Sequence, residues 1–283
     1  MRPYGGLIGA NPTTAASDVN SAAGGIWSLR DAERLKRAGT WPISFLTPAS
    51  ISGLQLWLDA SDANTLYNAT SGGSLVAADG AVARWEDKSG NARHATQGTS
   101  ANRPARKTNQ QNGLGAMLFD GTDDSMQLES GVTVSASHSV FQVFQRATAG
   151  THSVLLAGSS VGAYPFWWFN DNTVYEASVG NEEFTTHGSA STATGYFVAV
   201  TTRTGTASIA TRRNAASLAT VTTGAGVTTA ANGTWNRIGV MEPSSPDVFH
   251  TGNICELIIY NSALSDTNRA AVESYLTTKW GIS

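Results

Sequence analysis

The sequence predicts an all-β protein: two antiparallel sheets packed face to face, with a short N-terminal helix and a C-terminal helix. Three observations carry this. From Ile51 onward, a dozen short β-like runs are separated by clusters of Gly, Asn, Asp and Ser, with no helical pattern between them. Gly makes up 29 of 283 residues and charged residues only 14%, a composition that suits tight turns and uncharged strands better than long surface helices. Alternation at Ala207, Ile209 and Thr211 predicts one buried and one solvated strand face, as in a sandwich.

Residues 1–25 have no hydrophobic periodicity and consist largely of Gly, Ala, Ser, Thr and Asn. Alone, such a segment cannot offset the entropy of ordering, so it reads as an extended assembly arm that orders against neighbouring subunits. Its anchoring groups are Tyr4, Leu7 and Ile8, joined by Trp27, Leu29 and Leu35 from the segment that follows. Residues 26–50 predict a short helix and linker. Ser28 caps the helix, Asp31 sits three residues on, Gly39 ends it, and Leu29, Ala32 and Leu35 share one face. Trp41-Pro42 and Thr47-Pro48 punctuate the exit.

The domain proper spans 51–283. Its expected strands are 54–58, 82–86, 115–119, 139–145, 152–158, 165–169, 173–179, 195–202, 206–212, 216–223, 234–241 and 253–260. Near the C-terminus, Ser265 or Asp266 caps a helix that runs to Lys279 before Gly281. Val272, Tyr275, Leu276 and Lys279 line one side of it at helical spacing, which predicts docking against the sandwich. Trp57, Trp85 and Trp235 are expected in the core.

Composition also excludes classes of function. With 18 basic and 21 acidic residues, the net charge of −3 gives no footprint for a nucleic-acid backbone. No apolar run approaches the roughly 18–20 residues of a membrane span, so no membrane insertion is expected. The first residues lack an apolar signal core, which predicts a product not exported by the general route. The lone cysteine, Cys255, lies in the apolar run ICELIIY and reads as an inert core thiol.

Four separated blocks carry a family resemblance: LQLWLDASDANTLY, VARWEDKSGNARHATQGTSANRPA, NGLGAMLFDGTDDSMQL and GNICELIIYNSALSDTNRAAVESYLTTKWGI. They resemble the laminin G-like branch of the concanavalin A-like jelly rolls over residues 51–283. The resemblance implies a two-sheet jelly-roll sandwich for glycan or protein recognition, often with calcium on one rim. The first 42 residues are similar to leaders of bacteriophage virion proteins. That implies a virion component assembled in the host cytoplasm: a tail or fibre protein, or alternatively a capsid-decoration or head-fibre protein. Its partners would be other virion proteins, further copies of the chain, trimeric by analogy with fibres, and a host surface glycan. A free-standing lectin-like module is the competing reading.

No enzymatic activity is expected. The resemblance would call for a Glu-x-Asp-x-x-Glu strand for glycoside hydrolysis, and the sequence has none. The adjacent pairs Glu182-Glu183 and Asp123-Asp124 would point to opposite faces of a strand. Calcium is the one cofactor the acid-bearing loops suggest, with Asp120, Asp123 and Asp124 in FDGTDD, Asp87 and Asn91 in EDKSGN, and Asp59 and Asp62 in DASD. The same residues also serve as turn formers that bond their own backbone. For glycan binding, PFWWFNDN offers aromatic platforms and polar groups in Trp167, Trp168, Asn170 and Asp171.

Overall fold

A computed structural model describes residues 47–134, 137–147, 153–158, 166–170, 173–177, 195–205, 208–222, 233–240 and 249–283. The arm residues Tyr4, Leu7, Ile8, Trp27, Leu29 and Leu35, with the predicted N-terminal helix, lie outside the described residues, as do Asp171, Glu182 and Glu183.

Two eight-stranded antiparallel sheets form the body. The first contains β1 (Leu54–Asp59), β5 (Ala105–Gln111), β6 (Leu114–Asp120), β8 (His138–Arg146), β12 (Tyr196–Thr204), β13 (Ser208–Arg213), β14 (Ala216–Thr222) and β16 (Thr251–Tyr260). Its order is β14-β13-β12-β8-β16-β6-β5, and β1 also pairs with β16. The second sheet holds β2 (Leu66–Tyr67), β3 (Arg84–Trp85), β4 (Ala95–Thr96), β7 (Met126–Val134), β9 (Ser153–Ala157), β10 (Phe166–Asn170), β11 (Thr173–Ala177) and β15 (Gly233–Ile238). Its order is β11-β10-β9-β15-β7-β4-β3-β2. Helix α1 (Asp266–Trp280) closes the chain.

The inner faces of the two sheets share one apolar core. Leu56, Leu58, Phe119, Val140, Phe144, Leu257 and Ile259 of the first sheet meet Trp85, Met126, Leu128, Leu155, Trp235 and Ile238 of the second. The first sheet is buried on its outer face too: Trp57, Phe141, Val143, Val198, Ile258 and Tyr260 pack with Leu264, Val272, Leu276 and Trp280 of α1 and its lead-in. Three layers result, which is why β8 and β16 are buried almost throughout rather than at alternate positions.

The central strand β16 is paired along both edges. On one edge its first half meets β6 and its second half β1; β8 runs along the other. Against β8 the register shifts between Ile254 and Glu256. Such a bulge adds a residue to one strand and re-aims the side chains that follow. Ile254, Leu257 and Ile259 therefore face the sandwich interior, while Cys255, Ile258 and Tyr260 face the helix side. Glu256 is turned toward the helix with them, as its bond to the Trp280 indole records.

The predicted runs meet the structure with several differences, among them the two-residue strands β2 and β4, which no run anticipated. The run at 82–86 is a two-residue strand, Arg84–Trp85. β7 went unpredicted because Glu129, Ser130 and Gly131 interrupt its apolar pattern. β5 (ARKTNQQ) was also missed, since an edge strand with few buried residues carries no hydrophobic signal. Its turn did carry one: Asn112-Gly113, both at positive φ (49° and 75°), joins β5 to β6 as a two-residue hairpin loop. The C-terminal helix follows prediction. Ser265 Oγ accepts the Asn268 N–H, Gly281 is left-handed, and Val272, Leu276 and Trp280 are buried. The hairpin also caps it, with Asn112 Nδ2 donating to Lys279 O (2.9 Å) and Gln111 Nε2 to Trp280 O (2.8 Å).

Candidate functional site: an acidic turn and a buried carboxylate cluster

Where β6 leaves the first sheet and the chain crosses to β7 in the second, FDGTDD forms a tight acidic turn. Asp120 pairs with Thr251 at the start of β16. Gly121 follows at φ 78°, and a Cβ there would collide with the Thr251 side chain, so the turn needs glycine for both torsion and space. Asp120 Oδ1 accepts the N–H groups of Thr122 (2.8 Å), Asp123 (3.3 Å) and Asp124 (3.4 Å). Asp124 Oδ2 in turn accepts the Asp120 N–H at 3.0 Å. Carboxylate oxygens of Asp120, Asp123 and Asp124 lie within 4.8 Å of one another.

Among the described residues no ion pair reaches these three acids. Burial, opposed by the Asp120 amide and reinforced by the Asp120 and Asp123 charges, pushes the Asp124 carboxyl up to about 6. An uncompensated, oxygen-rich turn of this kind is chemically suited to a hard divalent cation. Behind it lies His250, which accepts edge contacts with Phe119 and Phe144; burial pushes its imidazole down to about 4.

The other acidic loops do not join this group. Asp87 Oδ1 accepts the backbone N–H groups of Trp57 and Ser89, both at 2.9 Å, and Oδ2 accepts Ser89 Oγ (2.7 Å) and the Arg93 N–H (3.1 Å). Its carboxylate therefore ties the loop after β3 to β1. Asn91 does the same, donating to Leu54 O at 3.0 Å and Gln55 O at 3.2 Å. Both residues are turn formers here, the alternative the sequence also carried.

Asp59 and Asp62 belong to a second cluster, under α1. Asp59 and Glu256 are register partners across β1 and β16. Lys279 Nζ lies 2.7 Å from Asp59 Oδ1 and 2.8 Å from Glu256 Oε2. Lys88 Nζ is 2.9 Å from both Asp59 Oδ2 and Asp62 Oδ2, and sits 4.7 Å over the Trp57 ring. Glu256 Oε1 also accepts Trp57 Nε1 (2.7 Å) and Tyr275 OH (3.0 Å), and Oε2 accepts Trp280 Nε1 (2.8 Å). Burial opposes the Asp59 charge, but the Lys279 and Lys88 ammonium groups outweigh it and hold the carboxyl below its ordinary value. For Glu256, burial and the Asp59 charge prevail, so its carboxyl is raised. Sequence reasoning placed Lys279 on the docking face of α1 but assigned it no partner; Glu256, inside an apolar run, gave no signal.

Of the proposed glycan residues, Trp167, Trp168 and Asn170 lie on β10, between β9 and the edge strand β11. Trp167 is the register partner of Glu176 and Trp168 that of Tyr175. Cys255 is buried, and burial pushes its thiol well above the ordinary range, as an inert core thiol requires.

The chain is thus a two-sheet antiparallel β-sandwich closed by a C-terminal helix. No protein-family model matches it, and no curated protein matches its sequence. Solved structures do resemble it. Domain 4 of AbnA, an extracellular GH43 arabinanase from Geobacillus stearothermophilus solved with arabinotriose, aligns with a TM-score of 0.53 at 17% identity, covering 76% of this chain and 95% of that domain. A Trypanosoma rangeli sialidase aligns at 0.53 and 14% identity, over 81% of this chain and 33% of the sialidase. The binding domain of botulinum neurotoxin serotype D aligns at 0.51 and 11% identity, over 79% and 51%. The chain thus spans a third of the sialidase and half of the toxin domain, and at these identities the likeness establishes the fold.

Proposed function

We propose that this chain is a non-catalytic recognition module whose ligand is a glycan, carried as a structural component of a bacteriophage virion of the tail or fibre type. The observation that carries the non-catalytic reading is the state of the facing carboxylates. Asp59 and Glu256 are covered by α1 and clamped by Lys279, so neither can reach a glycosidic oxygen. A glycan as the ligand is supported by the shared fold of the arabinanase domain solved with arabinotriose. Because consecutive residues of a strand point to opposite faces, one of Trp167 and Trp168 would supply the aromatic surface, with Asn170 and Asp171 as the polar groups. Calcium at Asp120, Asp123 and Asp124 would order the rim where the chain crosses between sheets. The virion placement rests on the leader resemblance, with residues 1–25 ordering against neighbouring subunits.

Binding of the full chain to an array of arabinan, sialylated and other oligosaccharides tests the ligand. Retention lost in Trp168→Ala supports the proposal; no retention by the wild-type chain overturns it. Sedimentation of an infected lysate tests placement. A few copies per particle support a tail or fibre component, hundreds indicate capsid decoration, and failure to sediment leaves a free-standing lectin-like module.

A further inference from the structure

Independently of what the module binds, the cluster beneath α1 has the composition of a self-modifying site. A lysine amine, an aspartate carboxyl and a second carboxylate meet inside a nearly dry compartment. Side-chain exposure is 11% for Lys279, 4% for Asp59 and 0% for Glu256. Trp57, Tyr275 and Trp280 wall it in and donate to Glu256, fixing its position. Lys279 Nζ touches Asp59 Oδ1 at 2.7 Å, and Lys88 holds the other oxygen, Oδ2, at 2.9 Å. Nucleophile, electrophile, proton acceptor and oxyanion partner are therefore all in place around Asp59 Cγ.

We propose that Lys279 and Asp59 join covalently, Nζ attacking Cγ to form an intramolecular amide with Glu256 as the proton carrier. In the ion-paired ground state Lys279 is an ammonium and Asp59 a carboxylate. Glu256 Oε2, 2.8 Å from Nζ, takes one proton, frees the nitrogen lone pair and passes the proton to Oδ1, which flanks the same nitrogen, so that the amine faces a neutral carboxyl. The Nζ–Cγ bond forms, and the displaced electron pair resides on Oδ2 beside the Lys88 ammonium. Glu256 then carries a second proton from Nζ to Oδ1 by the same route. The Cγ–Oδ1 bond breaks and Oδ1 leaves as water. One ammonium and one carboxylate become one amide and one water, with no oxidant or co-reactant. The reaction removes two buried charges, whose desolvation is costly, and Glu256 keeps its Trp57, Tyr275 and Trp280 donors. It would close β1 and the last turn of the helix into a covalent ring around the sandwich.

Intact mass spectrometry of the purified full chain tests this. The expected mass is the sequence mass less one water. A tryptic digest should contain residues 38–84 joined to 270–283, with cleavage at Lys279 blocked. Lys279→Arg, which keeps the charge, and Glu256→Gln should both restore the full mass and release the two peptides. A wild-type chain that stays at full sequence mass after prolonged incubation at neutral pH overturns the proposal. A loss of water that persists in Lys279→Arg also overturns it, since the water then comes from another site such as a cyclised aspartyl imide. A cross-link that still forms in Glu256→Gln overturns the role of Glu256.

Discussion

Two groups of carboxylates show opposite solutions to placing negative charge in one fold. Under α1, Asp59, Asp62 and Glu256 are neutralised internally by Lys88 and Lys279. In the turn between β6 and β7, Asp120, Asp123 and Asp124 meet only backbone N–H groups among the described residues. The first group is stabilised by its partners, with Asp59 and Glu256 closed to solvent and Asp62 at the edge of the cluster. The second retains negative potential where the chain passes from sheet to sheet, and burial together with the Asp120 and Asp123 charges raises the Asp124 carboxyl to about 6. The compensated cluster builds the fold, whereas the uncompensated one is the place proposed above for calcium.

The largest effect should come from breaking the compensated cluster. Lys279→Met leaves Asp59 and Glu256 facing each other without their shared ammonium. The expected loss is about 3–5 kcal/mol, read as a shift in the urea midpoint. An unchanged midpoint would mean the ion pairs are not what holds α1 to the sheet.

Next in size is the acidic turn itself. Asp120→Ala removes the acceptor for three largely exposed backbone amides, so a loss of about 0.5–1.5 kcal/mol is expected in the same assay. If calcium binds there, it should raise the melting temperature of the wild-type chain by a few degrees at concentrations well above its Kd, and EDTA should reverse the rise. Asp123→Asn should abolish that response while barely changing the metal-free melting temperature.

A smaller effect separates the clusters by sign. The folded-state pKa of Asp124 is raised from 3.8 to about 6, so its charge destabilises the fold above pH 6 and ceases to do so below 3.8. Asp124→Asn should therefore melt higher than wild type at pH 7, the advantage fading as pH falls through that window. His250 works the other way. Its folded pKa is depressed from 6.5 to about 4, so the stability of its neutral form is present above 6.5 and lost as pH falls toward 4. His250→Phe should flatten that acid limb in a melting series, and an unchanged limb would count against its buried neutral state.

Local signals in the sequence reached a good part of this. Apolar runs between turn residues marked most strands, Ser265 and Gly281 bounded the helix, and helical spacing put Lys279 on its docking face. FDGTDD was legible as an acidic turn because neighbours in sequence form it. β5 was not, since an edge strand needs no apolar residues, although Asn112-Gly113 marked its hairpin. Asp87 and Asn91 were legible as polar turn residues, but whether they faced a cation or the Trp57, Leu54 and Gln55 backbone depended on where β1 ran.

By itself, the sequence determined the fold class, the terminal helix and the acidic turn, because periodicity, capping and turn chemistry act over a few residues. Only the tertiary structure decided the cluster under the helix. Asp59, Lys88, Glu256 and Lys279 lie far apart along the chain, and no short-range pattern links them. Pairing of β1 with β16 set Asp59 beside Glu256, the register shift at Cys255 turned Glu256 outward, and the docking of α1 brought Lys279 between them. Once apolar packing had excluded water there, the charges had no lower-energy partner than each other.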